Sequence, residues 1–108
     1  MASKYHNRKI TVDGITFDSI REASRYKELK HEESVGLIHG LKRQVKFVLI
    51  PAHKGEIRKE RACTYIADFT YYRDGELIVE DVKGVRTDVY KIKRKLMLDI
   101  YGVEIREV

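Results

Sequence analysis

The 108 residues contain a single cysteine, a single proline and no tryptophan. Cys63 alone cannot close an internal disulfide and leaves no cysteine-rich zinc cage, so a reducing, cytoplasmic setting is expected. The seven glycines stand singly, with no phosphate-cradling or dinucleotide-binding pattern among them, and no organic cofactor is expected. No apolar run approaches the roughly 20 residues that cross a bilayer, and the opening Met1-Ala2-Ser3-Lys4 leads into no signal-peptide core, so no membrane partner is expected. His6, His31, His39 and His53 lack the HxxH or HxxxH spacing of a histidine metal site. What the chain has in quantity is charge. Twenty-two Lys and Arg against 17 Asp and Glu give a net +5, a balance suited to a polyanion such as nucleic acid.

The length suits one domain over residues 1–108, opened by a basic arm over residues 1–9. Ile10–Val12 and Ile15–Phe17 flank Asp13-Gly14 and read as a small hairpin. Asp18 or Ser19 can cap a helix, with Glu22 in the capping-box place relative to Ser19, and that helix reaches Glu33–Ser34 and stops near Gly36. Gln44–Ile50 alternates as a strand ended by Pro51, and the charged stretch His53–Arg61 reads as a solvated loop or strand extension. Thr64–Tyr72 and Leu77–Lys83 are strands joined through Asp74-Gly75. Thr87 or Asp88 caps a second helix with Val89, Ile92, Leu96 and Ile100 at helical spacing, closed by Gly102, and Val103–Val108 is a final strand. The expected fold is α/β: an αβββαβ core with a mixed four-stranded sheet flanked by helices, after a short amino-terminal hairpin. A right-handed crossover puts the last strand parallel beside Leu77–Lys83.

Parity locates candidate chemistry. If Asp74 and Gly75 are the two central residues of a tight turn, Arg73 faces Glu76, and counting back sets Asp68 opposite Asp81 and Ile66 opposite Lys83. Side chains so paired share a face with Cβ atoms about 4.5–5.5 Å apart, and two carboxylates there repel unless compensated. A divalent cation such as Mg²⁺ is the natural compensation. A three-residue loop with Gly75 in a bulge would instead set Asp68 opposite Glu80, and both registers stand at this point. Glu22 lies in the arc that holds Ile20, Ala23, Tyr26 and Leu29, a costly place for an acid that is neither neutralised nor bound.

Asp68, twelve residues, then Asp81-Val82-Lys83, with Glu22 on the preceding helix, resembles the PD-(D/E)xK nuclease superfamily. The stretches Phe17-Asp18-Ser19-Ile20-Arg21-Glu22-Ala23, Tyr65-Ile66-Ala67-Asp68-Phe69 and Val79-Glu80-Asp81-Val82-Lys83-Gly84 resemble a small bacteriophage family of that type, whose members are described as uncharacterised or similar to Holliday junction resolvases. Ala67 stands where the name-giving proline would be, and Asp81 where glutamate is commoner. The resemblance implies a restriction-endonuclease-like fold and cleavage of DNA phosphodiesters. It implies that Asp68, Asp81 and the Val82 carbonyl hold Mg²⁺ or Mn²⁺, that Glu22 binds a second ion or orients the attacking water, and that Lys83 positions that water or stabilises charge on the phosphorane. Branched DNA is the implied substrate, and cutting two strands symmetrically implies a homodimer. Basic residues around the site, Arg86, Lys91, Arg94 and Lys95 at and on the second helix, with Lys4, Arg8 and Lys9 of the arm, are candidates to meet the DNA backbone. A different class stays open: a catalytically silent DNA-binding or replication accessory protein with the same fold.

Overall fold

The computed structural model describes residues 9–108. Strands β1 (Ile10–Val12) and β2 (Ile15–Phe17) pair as a separate hairpin and lead into helix α1 (Ile20–Ser34). Strand β3 (His39–Ile50) follows, then two short strands, β4 (His53–Lys54) and β5 (Lys59–Glu60), which pair with each other. Next come β6 (Cys63–Arg73), β7 (Glu76–Asp81), helix α2 (Asp88–Tyr101) and β8 (Ile105–Glu107). The main sheet is ordered β3-β6-β7-β8, antiparallel except for the parallel β7–β8 pair. The expected αβββαβ core and mixed four-stranded sheet are present, and β8 lies where the right-handed crossover placed it.

Local chemistry accounts for the element ends. Asp13-Gly14 and Asp74-Gly75 are both left-handed at both positions, the conformation of a type I′ hairpin turn. Ser19 Oγ accepts the Glu22 N–H at 3.1 Å and caps α1. Ser19→Ala is expected to cost about 1 kcal/mol, read as a fall in melting temperature of about 4–8 °C. Thr87 Oγ1 caps α2 in the same way, and Gly102 closes that helix at φ 67°. All four strands of the main sheet differ from the sequence reading in their bounds, β6 by one residue at each end. β3 starts five residues before Gln44; β7 ends at Asp81, so Lys83 lies beyond it; the last strand is limited to Ile105–Glu107. The stretch after Pro51, read as a solvated loop or strand extension, forms a short exposed hairpin of β4 and β5.

The helices cover opposite faces of the sheet. α1 packs Ala23, Tyr26 and Leu29 with Phe17, Ile38, Phe69, Tyr71 and Ile78, whereas α2 packs Tyr90 and Met97 with Leu49, Tyr65, Ala67, Val79 and Ile105. This corrects the expected packing stripe of α2: Val89, Ile92 and Ile100 are exposed, and Leu96 is only half-buried. The helix is turned by about 100°, one residue's advance, which brings Tyr90 and Met97 to the sheet, the former burying an aromatic ring in place of an aliphatic side chain. Tyr90 also finds a partner for its hydroxyl there, in Glu107.

The edge strand β3 and its neighbour β6 change face at one row. Leu41 packs on the α1 side, yet Phe47 and Leu49, of the same parity, pack on the α2 side. Ala67 and Tyr65 likewise face α2, while Phe69 and Tyr71 face α1. Arg43 pairs with Phe69 and Val45 with Ala67, so the switch falls between them, at Gln44 and Asp68. Gln44 has φ 51°, which releases the alternation.

Candidate active site

The two-residue turn fixes the β6–β7 register: Arg73 faces Glu76, Tyr72 faces Leu77, and the ladder runs to Phe69 opposite Glu80. Carried one residue past that last pair, the count would set Asp68 against Asp81. At that row Asp68 Oδ2 accepts the Val82 N–H at 2.8 Å, so its carboxylate holds the strand end. Ile66 does not face Lys83: it pairs with Lys46 of β3, because β7 has already ended. The Asp81–Lys83 backbone is held from the other side, with Val108 N–H donating to Asp81 O at 3.0 Å. From α1, Arg21 donates to Lys83 O at 3.2 Å and to Val108 O at 3.0 Å.

The open register is closed against Glu80. It is 1% exposed on the α1 face, where Arg25 grips it through Nε at 2.8 Å and Nη2 at 2.6 Å, and the Tyr71 hydroxyl donates to it. Glu80 is a fully engaged structural acid. Asp81, one residue on, faces the α2 side. It is 4% exposed, and Lys83 Nζ lies 2.9 Å from its Oδ2. That contact is an ion pair outside hydrogen-bonding angles, and Oδ2 is buried without a hydrogen-bond partner. Burial first, and then Asp68 beside it, push the Asp81 carboxyl well above the ordinary carboxylate range, against the opposing pull of Lys83.

Glu22 joins from α1. It is 9% exposed, and Arg43 Nη2 stands 3.7 Å from its Oε1. Burial, followed by the Asp68 charge, raises its pKa, while Arg43 works in the other direction. Gln44 links the acids: its Nε2 lies 3.3 Å from both Glu22 Oε1 and Asp68 Oδ1. Lys83 Nζ rests 4.0 Å above the Tyr90 ring, and the Tyr90 hydroxyl donates to Glu107 Oε2 at 2.7 Å. The Tyr65 hydroxyl is buried without a hydrogen-bond partner; burial and the charge of Asp81 raise its pKa.

The structure thus gathers Glu22, Asp68, Asp81 and Lys83 at the row where the sheet changes face. Val82 contributes its N–H to Asp68. Sequence reasoning missed Gln44, whose left-handed backbone carries no signature in a glutamine, and Arg43 and Tyr90, whose roles depend on packing. The expected nucleic-acid residues divide. Arg86 and Arg94 both bind Glu107, at 2.7 and 3.1 Å, while Lys91 and Lys95 are exposed on α2. Lys9 is exposed before β1; Lys4 and Arg8 lie outside the described residues.

Whether these residues suit a divalent cation follows from the donors. Among the described residues, no three Asp, Glu, His or Cys side chains are placed to hold an ion as they stand, since the Gln44 amide lies between Glu22 and Asp68. Yet three acids converge with hard oxygen donors, two of them with raised pKa, and one buried Asp81 oxygen has no hydrogen bond. Such a donor set fits Mg²⁺ or Mn²⁺ and no soft metal.

An αβββαβ domain with an acidic cluster and a lysine at the sheet's face switch is the class that fold and site define. The chain belongs to the DUF1064 family, described as proteins of unknown function, whose profile matches residues 2–106. No curated protein matches the chain, and no solved structure matches it. No helix among the described residues is long and apolar enough to cross a membrane.

Proposed function

We propose that this protein is a metal-dependent DNA endonuclease that hydrolyses phosphodiester bonds in branched DNA such as Holliday junctions, acting in the cytoplasm as a homodimer. The observation that carries the reading is the Asp81 carboxylate: buried, one oxygen without a hydrogen bond, and set between Asp68 and Lys83. A structural acid in such a place would be satisfied as Glu80 is. A carboxylate left costly in the free protein is the mark of a group that meets its partner in function.

Asp68, Asp81 and the Val82 carbonyl would hold Mg²⁺ or Mn²⁺, with Glu22 completing the acid set. When bound, the cation supplies Lewis-acid polarisation of the scissile phosphate and neutralises the acids. The remaining work belongs to the chain. Lys83, its ammonium supported by the Tyr90 ring, is aimed at the same space as Asp81 and offers positive charge to the phosphate as negative charge develops. Arg21 and Val108 fix the Lys83 backbone, so the ammonium swings from a rigid base. Gln44 orients Glu22 and Asp68 toward one another and keeps both from rotating into solvent.

The test incubates the protein with a four-way junction and with linear duplex, with and without Mg²⁺. Cleavage that requires Mg²⁺ and favours the junction is expected. Lys83→Ala is expected to lower the rate by about 10²–10³ while leaving the fold intact, the usual cost of removing one electrostatic contact to a transition state. Binding of DNA without cleavage of either substrate, unchanged in Asp81→Asn, would instead establish a silent accessory protein.

A further inference from the structure

Charge is distributed unevenly along the chain. Residues 39–61, which form β3 and the β4–β5 hairpin, hold seven Lys and Arg against two acids, a balance of +5. The rest of the sequence has fifteen of each sign, so this segment accounts for the entire net charge. Lys42, Lys46, Lys54, Arg58, Lys59 and Arg61 are all exposed, and none forms an ion pair among the described residues. By contrast, Arg86 just before α2 and Arg94 on it are already occupied by Glu107.

The hairpin carries two further features that its own folding does not require. Lys54 pairs directly opposite Lys59, a cross-strand pair of like charges that weakens the ribbon unless an anion lies against it. At the turn closed by Gly55 N–H to Arg58 O at 2.9 Å, Ile57 is 87% exposed among the described residues. Lys54 on the ribbon is ten residues along the chain from Gln44 at the candidate site, the first part of them in β3, a span of at most about 33 Å.

We infer that β3 and the β4–β5 ribbon are the DNA-binding surface of this protein, with Lys46, Lys54, Arg58, Lys59 and Arg61 on the phosphate backbone and Ile57 as the apolar tip that enters the duplex. Charge complementarity selects the occupant. A polyanion relieves the Lys54–Lys59 repulsion, and an exposed isoleucine among cations is the kind of side chain that wedges between base steps. This rests on the DNA reading above and moves the contact surface from α2, where the sequence pattern put it, to the ribbon.

The experiment measures DNA binding by fluorescence anisotropy in EDTA, on a duplex, a four-way junction and an RNA duplex, over a series of salt concentrations. Lys54→Gln/Arg58→Gln/Lys59→Gln is expected to weaken DNA binding at least 10-fold. It is also expected to flatten the slope of log K against log salt by about 2–3, since each phosphate contact contributes about 0.9. Lys91→Gln/Lys95→Gln on α2 is expected to stay within twofold of wild type. Lys54→Arg/Lys59→Arg is expected to retain binding, and Ile57→Ser to weaken junction binding at least threefold with the slope unchanged. A ribbon variant within twofold of wild type, a larger loss from the α2 pair, a loss in the arginine variant, an unaffected Ile57→Ser, or a wild type that prefers RNA or binds no nucleic acid would each overturn the assignment. Binding in EDTA is independent of cleavage: a protein that binds through the ribbon but cuts nothing with Mg²⁺ loses the nuclease reading alone, and one that cuts with an indifferent ribbon loses only this one.

Discussion

Asp81→Asn is expected to melt at a higher temperature than wild type in EDTA at neutral pH, and to lose DNA cleavage and divalent-ion uptake together. The surroundings of Asp81 favour its neutral form, because desolvation and Asp68 outweigh Lys83. The folded state therefore binds this proton more tightly than the unfolded chain does. As pH rises from the ordinary aspartate value of 3.8 through the raised folded value, the metal-free wild type loses stability, and that loss is complete above the folded pKa. Asparagine keeps the shape without the charge and removes that loss. Lys83 forfeits a partner but remains over the Tyr90 ring, about a fifth exposed, so its stranding costs less than a fully buried charge would. A gain on the order of 1 kcal/mol would appear as about 4–8 °C at this size. Adding Mg²⁺ or Mn²⁺ reverses the comparison, since an ion that binds only the folded wild type stabilises it by about 2.7 kcal/mol at 100 times its dissociation constant. Melting scans at pH 5 and pH 8, with and without metal, read all four states. A variant that melts lower in EDTA at pH 8, with metal uptake intact, would make Asp81 an ordinary structural acid.

The sequence carried the scaffold because its signals are local. Ser19, Thr87 and Gly102 mark helix ends by their own side chains or lack of one, and Asp74-Gly75 dictates a turn whose two-residue length fixes every pairing behind it. That is why Asp68 could be set against Asp81 by counting. What was hidden depends on nonlocal packing. The odd-numbered run Leu41, Arg43, Val45, Phe47, Leu49 looks like one uninterrupted face, yet it crosses the sheet at Gln44, a residue with no marked preference for a left-handed backbone. On α2 the aliphatic stripe was the stronger periodic signal and the wrong one, because Tyr90 gains a hydrogen bond to Glu107 that no wheel displays. The role of Glu107 in holding Arg86 and Arg94 was invisible for the same reason: its partners lie on another element.

Glu80 and Asp81 are adjacent acids of similar burial, and opposite results are expected from disturbing their surroundings. Arg25→Ala removes both guanidinium hydrogen bonds from a carboxylate that is 1% exposed and leaves it with Tyr71 alone. A buried ion stripped of its partner costs about 3–5 kcal/mol, and with Arg25 about a fifth exposed the lower end applies. At about 4–8 °C per kcal/mol, the melting temperature is expected to fall by more than about 12 °C. The paired replacement Arg25→Met/Glu80→Leu is expected to recover most of that loss, because apolar side chains need neither charge nor hydrogen bonds in that space. Divalent-ion affinity, measured below the lowered melting point, is expected to match wild type in both variants, since Glu80 and Arg25 face α1 while Asp81 faces the other core. A small effect of Arg25→Ala, or a change in metal affinity, would place Glu80 within the functional cluster and undo the division of labour between the two acids. Their separation follows from the strand itself: successive side chains point to opposite faces, so one acid holds α1 to the sheet and its neighbour lies beside Lys83 on the other face.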